Sequence, residues 1–86
     1  MTFGVYAMRD ALVGFCAPTL DSTDQSAMRG FSDAISRPDT LPCLHPADFG
    51  LYRVGYFDSD SGSLTPCDPP VWLCDGAGLT SDRGDQ

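Results

Sequence analysis

From Ala27 to Ile35 the apolar residues Ala27, Met28, Phe31, Ala34 and Ile35 recur at the spacing of one helical face, with Arg29, Ser32, Asp33 and Ser36 on the other side. Ser22-Thr23-Asp24-Gln25 ahead of them fits a capping box, in which the Ser22 hydroxyl and the Gln25 amide cover free backbone donors. Asp24 falls in the first turn, where negative charge suits the helix dipole. Arg37 suits the last turn and Pro38 stops the helix. Gly30, in mid-helix, costs about 1 kcal/mol relative to Ala. A close packing contact against a sheet would explain that cost.

The remaining apolar segments read as strands. Phe3 to Met8 is rich in strand formers, and Val13-Gly14-Phe15-Cys16-Ala17 reads as a second strand stopped by Pro18. The two can pair as a hairpin with Phe3, Val5 and Ala7 on one face. Phe49 to Phe57 is the strongest strand. Alternation places Phe49, Leu51, Gly55 and Phe57 on one side, with Arg53 as the exception, and Tyr52, Val54 and Tyr56 on the other. Both sides carry bulk, so this strand is either covered on both faces or meets a partner. Asp58 to Gly62 reads as a turn, Ser63 to Thr65 as a short returning strand, and Val71-Trp72-Leu73 as an edge strand. Residues 38–48, with Pro38, Pro42 and Pro46, read as an irregular connection. The implied architecture is α+β: a small antiparallel sheet with one amphipathic helix packed on it, in the order β-β-α-β-β. Residues 1–74 form the single domain, and 75–86 a mobile acidic, Gly-rich tail.

Eighty-six residues leave room for one modest core. The chain has no Lys, Glu or Asn, and its five arginines face twelve aspartates, for a formal charge of −7. Tight phosphate binding needs clustered cations. Arg9, Arg29, Arg37, Arg53 and Arg83 are scattered, so only a fold that gathers several of them could make a basic patch. Met1-Thr2-Phe3-Gly4 does not open a signal peptide, and the near-apolar run Ala11 to Ala17 is too short to span a bilayer. The expectation is a cytoplasmic protein without membrane contact. With no export signal, Cys16, Cys43, Cys67 and Cys74 read as free thiols.

Candidate chemistry is sparse. Cys43, His45, Cys67 and Cys74 are ligand types for tetrahedral zinc, but their spacings depart from those of zinc knuckles, and buried thiols beside a loop histidine are the plainer reading. Asp58, Asp60 and Gly62 have part of a calcium loop, yet Pro69 stands where the bidentate acid belongs. His45 and Cys43 would share a face of an extended segment, without an evident third group to make a nucleophilic site. No phosphate-binding glycine loop is present. The expectation is therefore a protein that is not an enzyme and holds no cofactor. The aromatics Tyr52 and Tyr56, with Arg9 and Arg53 nearby, are candidates to stack on single-stranded nucleic acid, against the alternative that they fill the core.

Three blocks occur in a distinctive order. They are Val5-Tyr6-Ala7-Met8-Arg9-Asp10 with Val13-Gly14-Phe15 and Pro18; the helix Ala27-Met28-Arg29-Gly30-Phe31-Ser32-Asp33-Ala34-Ile35; and His45-Pro46-Ala47-Asp48-Phe49-Gly50-Leu51-Tyr52 with Gly55-Tyr56-Phe57-Asp58 and Gly62. Over residues 3–73 this order resembles the small non-structural protein of gokushovirus-type microviruses, tailless phages with single-stranded DNA genomes. The resemblance implies a non-enzymatic accessory protein of the host cytoplasm. Such a protein would help switch viral DNA synthesis toward genome packaging through contacts with replication or procapsid proteins. Two alternatives stand beside it: a direct single-stranded DNA-binding protein using Arg9, Arg53, Tyr52 and Tyr56, and a small capsid-associated structural protein. The bulk on both faces of the Phe49 to Phe57 strand adds the expectation of a homodimer.

Overall fold

The computed structural model describes residues 1–79. It is α+β, a curled antiparallel sheet with helices on one side. The elements are β1 (Thr2–Asp10), β2 (Gly14–Phe15), β3 (Thr19–Asp21), α1 (Asp24–Ser36), α2 (Leu41–Leu44), a 3-10 turn (Pro46–Asp48), β4 (Phe49–Asp58) and β5 (Leu64–Asp75). The sheet order is β2-β1-β4-β5, and β3 also pairs with β1. Because β2 joins β1 at Arg9 and Asp10 while β3 joins it at Gly4, Val5 and Tyr6, the two short strands lie end to end along the same edge of β1. Pro18, which has no backbone N–H to donate, stands in the break between them.

The helix forms where the periodicity predicts, and Ala27, Phe31 and Ile35 are its buried residues. Its cap differs from the predicted one. Thr23 is the N-cap, and its Oγ1 accepts from the Ser26 backbone N–H at 3.1 Å, so the Ser22–Gln25 box is not used. Ser and Thr cap equally well in kind, and the side chain one residue nearer the helix takes the role. A Cβ on Gly30 would meet nothing within 4 Å, so the expected tight contact against the sheet is absent.

Residues 38–48 are more regular than three prolines suggest. Thr40 caps α2 by accepting from the Cys43 N–H at 3.4 Å. Pro42 occupies the first turn of α2 and Pro46 that of the 3-10 turn. Proline is compatible with a first helical turn because no intrahelical acceptor awaits its N–H there. Here the prolines start helical turns as well as ending them.

The two returning segments beyond Gly62 are one strand, β5, twelve residues long. It is an edge strand, which is why Pro66, Pro69 and Pro70 are tolerated within it. Asp75 belongs to this strand and 76–79 are helical, with Leu79 packed against the core. The rest of the predicted tail lies outside the described residues. No helix among the described residues is long and apolar enough to cross a membrane.

The core lies between α1 and one face of the sheet: Tyr6, Phe49 and Leu51 meet Ala27, Phe31 and Ile35, with Met8, Met28, Leu73 and Cys74 around them. Since Gly30 has open space where a Cβ would go, Gly30→Ala should stabilise the fold by about 1 kcal/mol. A higher thermal midpoint by circular dichroism checks this; a lower one would mean that the glycine is needed for a contact.

Candidate functional site

Which side chains share a face is decided by a bulge. Val5 pairs with Gly55 but Tyr6 pairs with Arg53, leaving Val54 as an extra residue on β4. Side chains alternate across a strand, and one inserted residue shifts the phase. Before the bulge Phe49, Leu51 and Arg53 face the helix; after it Tyr56 does, as the partner of Gly4. Tyr52, Gly55 and Phe57 face the other way. Strict alternation had placed Tyr52 and Tyr56 on one side, and the bulge separates them.

The four residues nominated for nucleic acid are thus divided. Arg53 and Tyr56 lie on the helix side, where the guanidinium stands 5.3 Å from the Tyr56 ring centroid, a cation–π contact. Arg53 Nη1 also donates to Asp24 Oδ2 at 2.6 Å. The other Asp24 oxygen accepts from the Tyr6 hydroxyl, again at 2.6 Å. One carboxylate in the first turn of α1 therefore clasps two adjacent strands through residues that pair across them. Gly4 makes room for this: a Cβ there would overlap the Tyr6 phenol.

Arg9 and Tyr52 lie on the opposite, outer face. Phe15 is the β2 partner of Arg9, and its ring meets Tyr52 edge-on at 5.4 Å between centroids. Trp72 of β5 is the partner of Tyr52, and its indole N–H donates to Asp75 Oδ1 at 2.9 Å. Phe15 and Trp72 extend the aromatic row on either side of Tyr52, and sequence reading missed both as site residues. Phe15 remains 47% exposed and Trp72 56%.

The metal candidates are not gathered. Cys43 is in α2 and His45 ends it; Cys67 lies on β5 near Arg53, and Cys74 faces the core. No three His, Cys, Asp or Glu side chains come together as a metal site among the described residues. All four cysteines are free thiols, and burial, with Asp75 adding to it, pushes the Cys74 thiol up. The Asp58 to Gly62 segment is a closed turn. Gly62 has φ 77° and donates to the Asp58 carbonyl at 2.7 Å, while the Asp58 carboxylate accepts from the Asp60 N–H and the Ser61 hydroxyl. Those bonds, the Asp60 one foremost, hold the Asp58 carboxyl below its usual range.

The clasp sets a pH window. The Tyr6 hydroxyl first, and then Arg53, hold the Asp24 carboxyl below its ordinary value, against burial. A carboxyl with a depressed folded value gives stability that is complete above its unfolded pKa of about 4 and is lost as pH falls through the folded value. Burial first, and then the bond to Asp24, raise Tyr6 above its ordinary 10.0. That stability is complete below about pH 10 and is lost as pH rises through the folded value. The contribution of the clasp to the thermal midpoint should accordingly be level between these limits and fall beyond both. Asp24→Asn should flatten the acid limb. An unchanged acid limb in the variant would mean that Asp24 is not the responsible group.

No curated protein and no solved structure matches the chain. A family model does, that of the phage ORF5 protein, over residues 3–79. The match spans the sheet from Phe3 onward, the clasp and the outer aromatic row, and the chain belongs to the phage ORF5 protein family.

Proposed function

We propose that this phage protein is a non-enzymatic accessory factor that assists viral single-stranded DNA replication and genome packaging through protein–protein contacts in the host cytoplasm. The observation that carries the reading is the placement of the arginines. Arg53 is committed to Asp24, Arg9 stands on the outer face, and Arg29 and Arg37 are exposed on and after α1. No two of these four are brought together by the sheet register, while the chain carries −7. A phosphate-tracking groove needs the opposite arrangement. An acidic protein whose arginines are not gathered suits an adaptor on other proteins better than a phosphate binder. Membership of a phage family and the gokushovirus-type resemblance supply the setting, with the replication complex or the procapsid as the partner.

A second reading has its own observation. Phe15, Tyr52 and Trp72 form an open aromatic row with Arg9 beside it, the kind of surface on which single-stranded bases stack. One titration separates the two readings. Fluorescence anisotropy of labelled single-stranded DNA at low salt should show no saturable binding, while purified replication initiator or capsid protein should be retained by the immobilised chain. Saturable DNA binding that weakens steeply with salt would sink the adaptor reading and install the second.

A further inference from the structure

On the face of the sheet turned away from α1, Phe15, Leu20, Leu64 and Trp72 are exposed, while Val5 and Ala7 are buried. The register assigns to it Phe15, Leu20, Tyr52, Phe57, Leu64 and Trp72, together with the smaller Val5, Ala7 and Gly55. Of the charged residues with a register partner, Arg9 and Asp75 lie on it, and Asp10, Asp21, Arg53 and Asp58 lie on the helix side. Two opposite charges thus stand on a largely apolar face of a chain that carries −7. Strands about 4.8 Å apart and about nine residues long give the three strands β1, β4 and β5 roughly 400 Å² in projection. An uncovered patch of this extent marks an interaction surface.

We infer that its occupant is the same face of a second copy of the chain, packed sheet on sheet about a two-fold axis that runs along β4. The layout is self-complementary under that operation. Arg9, Gly50 and Asp75 lie in one row on β1, β4 and β5, with β4 in the middle. Rotation about an axis over β4 carries β1 of one copy over β5 of the other. Arg9 then faces Asp75 of the partner copy, and Asp75 faces Arg9 of the partner copy, which is the isologous pairing a two-fold requires. One row along, Ala7, Tyr52 and Trp72 obey the same rule. The half-exposed Trp72 lies over β1 of the partner copy, and the two Tyr52 rings meet near the axis. Gly50 leaves the centre of the charged row low, and Asp75 reaches toward it: a Cβ on Gly50 would come within 2.9 Å of the Asp75 carboxylate. Nucleic acid is the less suited occupant because a single arginine serves the whole face. This assembly does not rest on the phage task proposed above and stands or falls apart from it.

Light scattering after size exclusion, over a range of concentrations, tests it. The full chain should have twice the chain mass, and Trp72→Asp should weaken association more than about tenfold, as loss of an aromatic anchor does. Arg9→Asp and Asp75→Arg should each yield monomer, and the double variant, which restores opposite charges across the axis, should recover the dimer. Trp72 is the one tryptophan, so its emission in the unaltered chain should shift to shorter wavelength as concentration rises through the transition. A monomer at every concentration would overturn the inference. So would a dimer indifferent to Trp72→Asp and to the charge exchange, or single-stranded DNA that binds the monomer and is lost with Trp72→Asp.

Discussion

One inserted residue organises this molecule. The phase change at Val54 lets β4 present Phe49, Leu51, Arg53 and Tyr56 to the helix while Tyr52, Gly55 and Phe57 turn outward. Without it, Arg53 and Tyr56 would be on opposite faces and the guanidinium could not lie over the Tyr56 ring while reaching Asp24. The same step keeps the outer face of β4 almost free of charge. A bulge is therefore what divides the sheet into a polar-clasped side and an apolar side.

The clasp is an economical way for a small domain to fix its one long helix. The apolar contacts of α1 with the core come from Ala27, Phe31 and Ile35, with the partly buried Met28 beside them, a thin set for thirteen residues of helix. Nondirectional burial of that kind leaves the helix free to slide or rotate. The two short bonds to Asp24 are directional, and they tie the N-terminal turn to Tyr6 on β1 and Arg53 on β4 at once. The glycine at position 4 belongs to the same arrangement, since the phenol lies where its side chain would be.

Much of the architecture was legible in the sequence for reasons of period and punctuation. Five apolar residues at helical spacing fix α1, and strand formers bounded by Pro18 and Gly62 fix the hairpins. The boundaries of 38–48 were not legible, because a proline that ends one element can equally begin the next, and only the capping by Thr40 decides which. Nor was β3 legible: Thr19–Asp21 is too short to show a period, and it exists because the edge of β1 offers it partners. The candidate site was half visible. Arg9 and Tyr52 were found with Arg53 and Tyr56, but no local signature marks Val54 as the extra residue, so the grouping of the four could not be read. Phe15 and Trp72 were visible as apolar strand residues and became part of a surface only through the register.

The prolines of β5 have a consequence for how copies of this chain can meet. An open edge strand is a template on which further strands add, one after another, into fibres. Pro66, Pro69 and Pro70 remove backbone donors from the long edge, and the far edge of the sheet is reduced to the two short pieces β2 and β3. Lateral growth is thereby discouraged at both ends of the sheet. Contact through a face saturates once that face is covered, whereas contact through an edge does not. Any assembly through a face of such a sheet terminates, because its edges offer little on which a further strand could add.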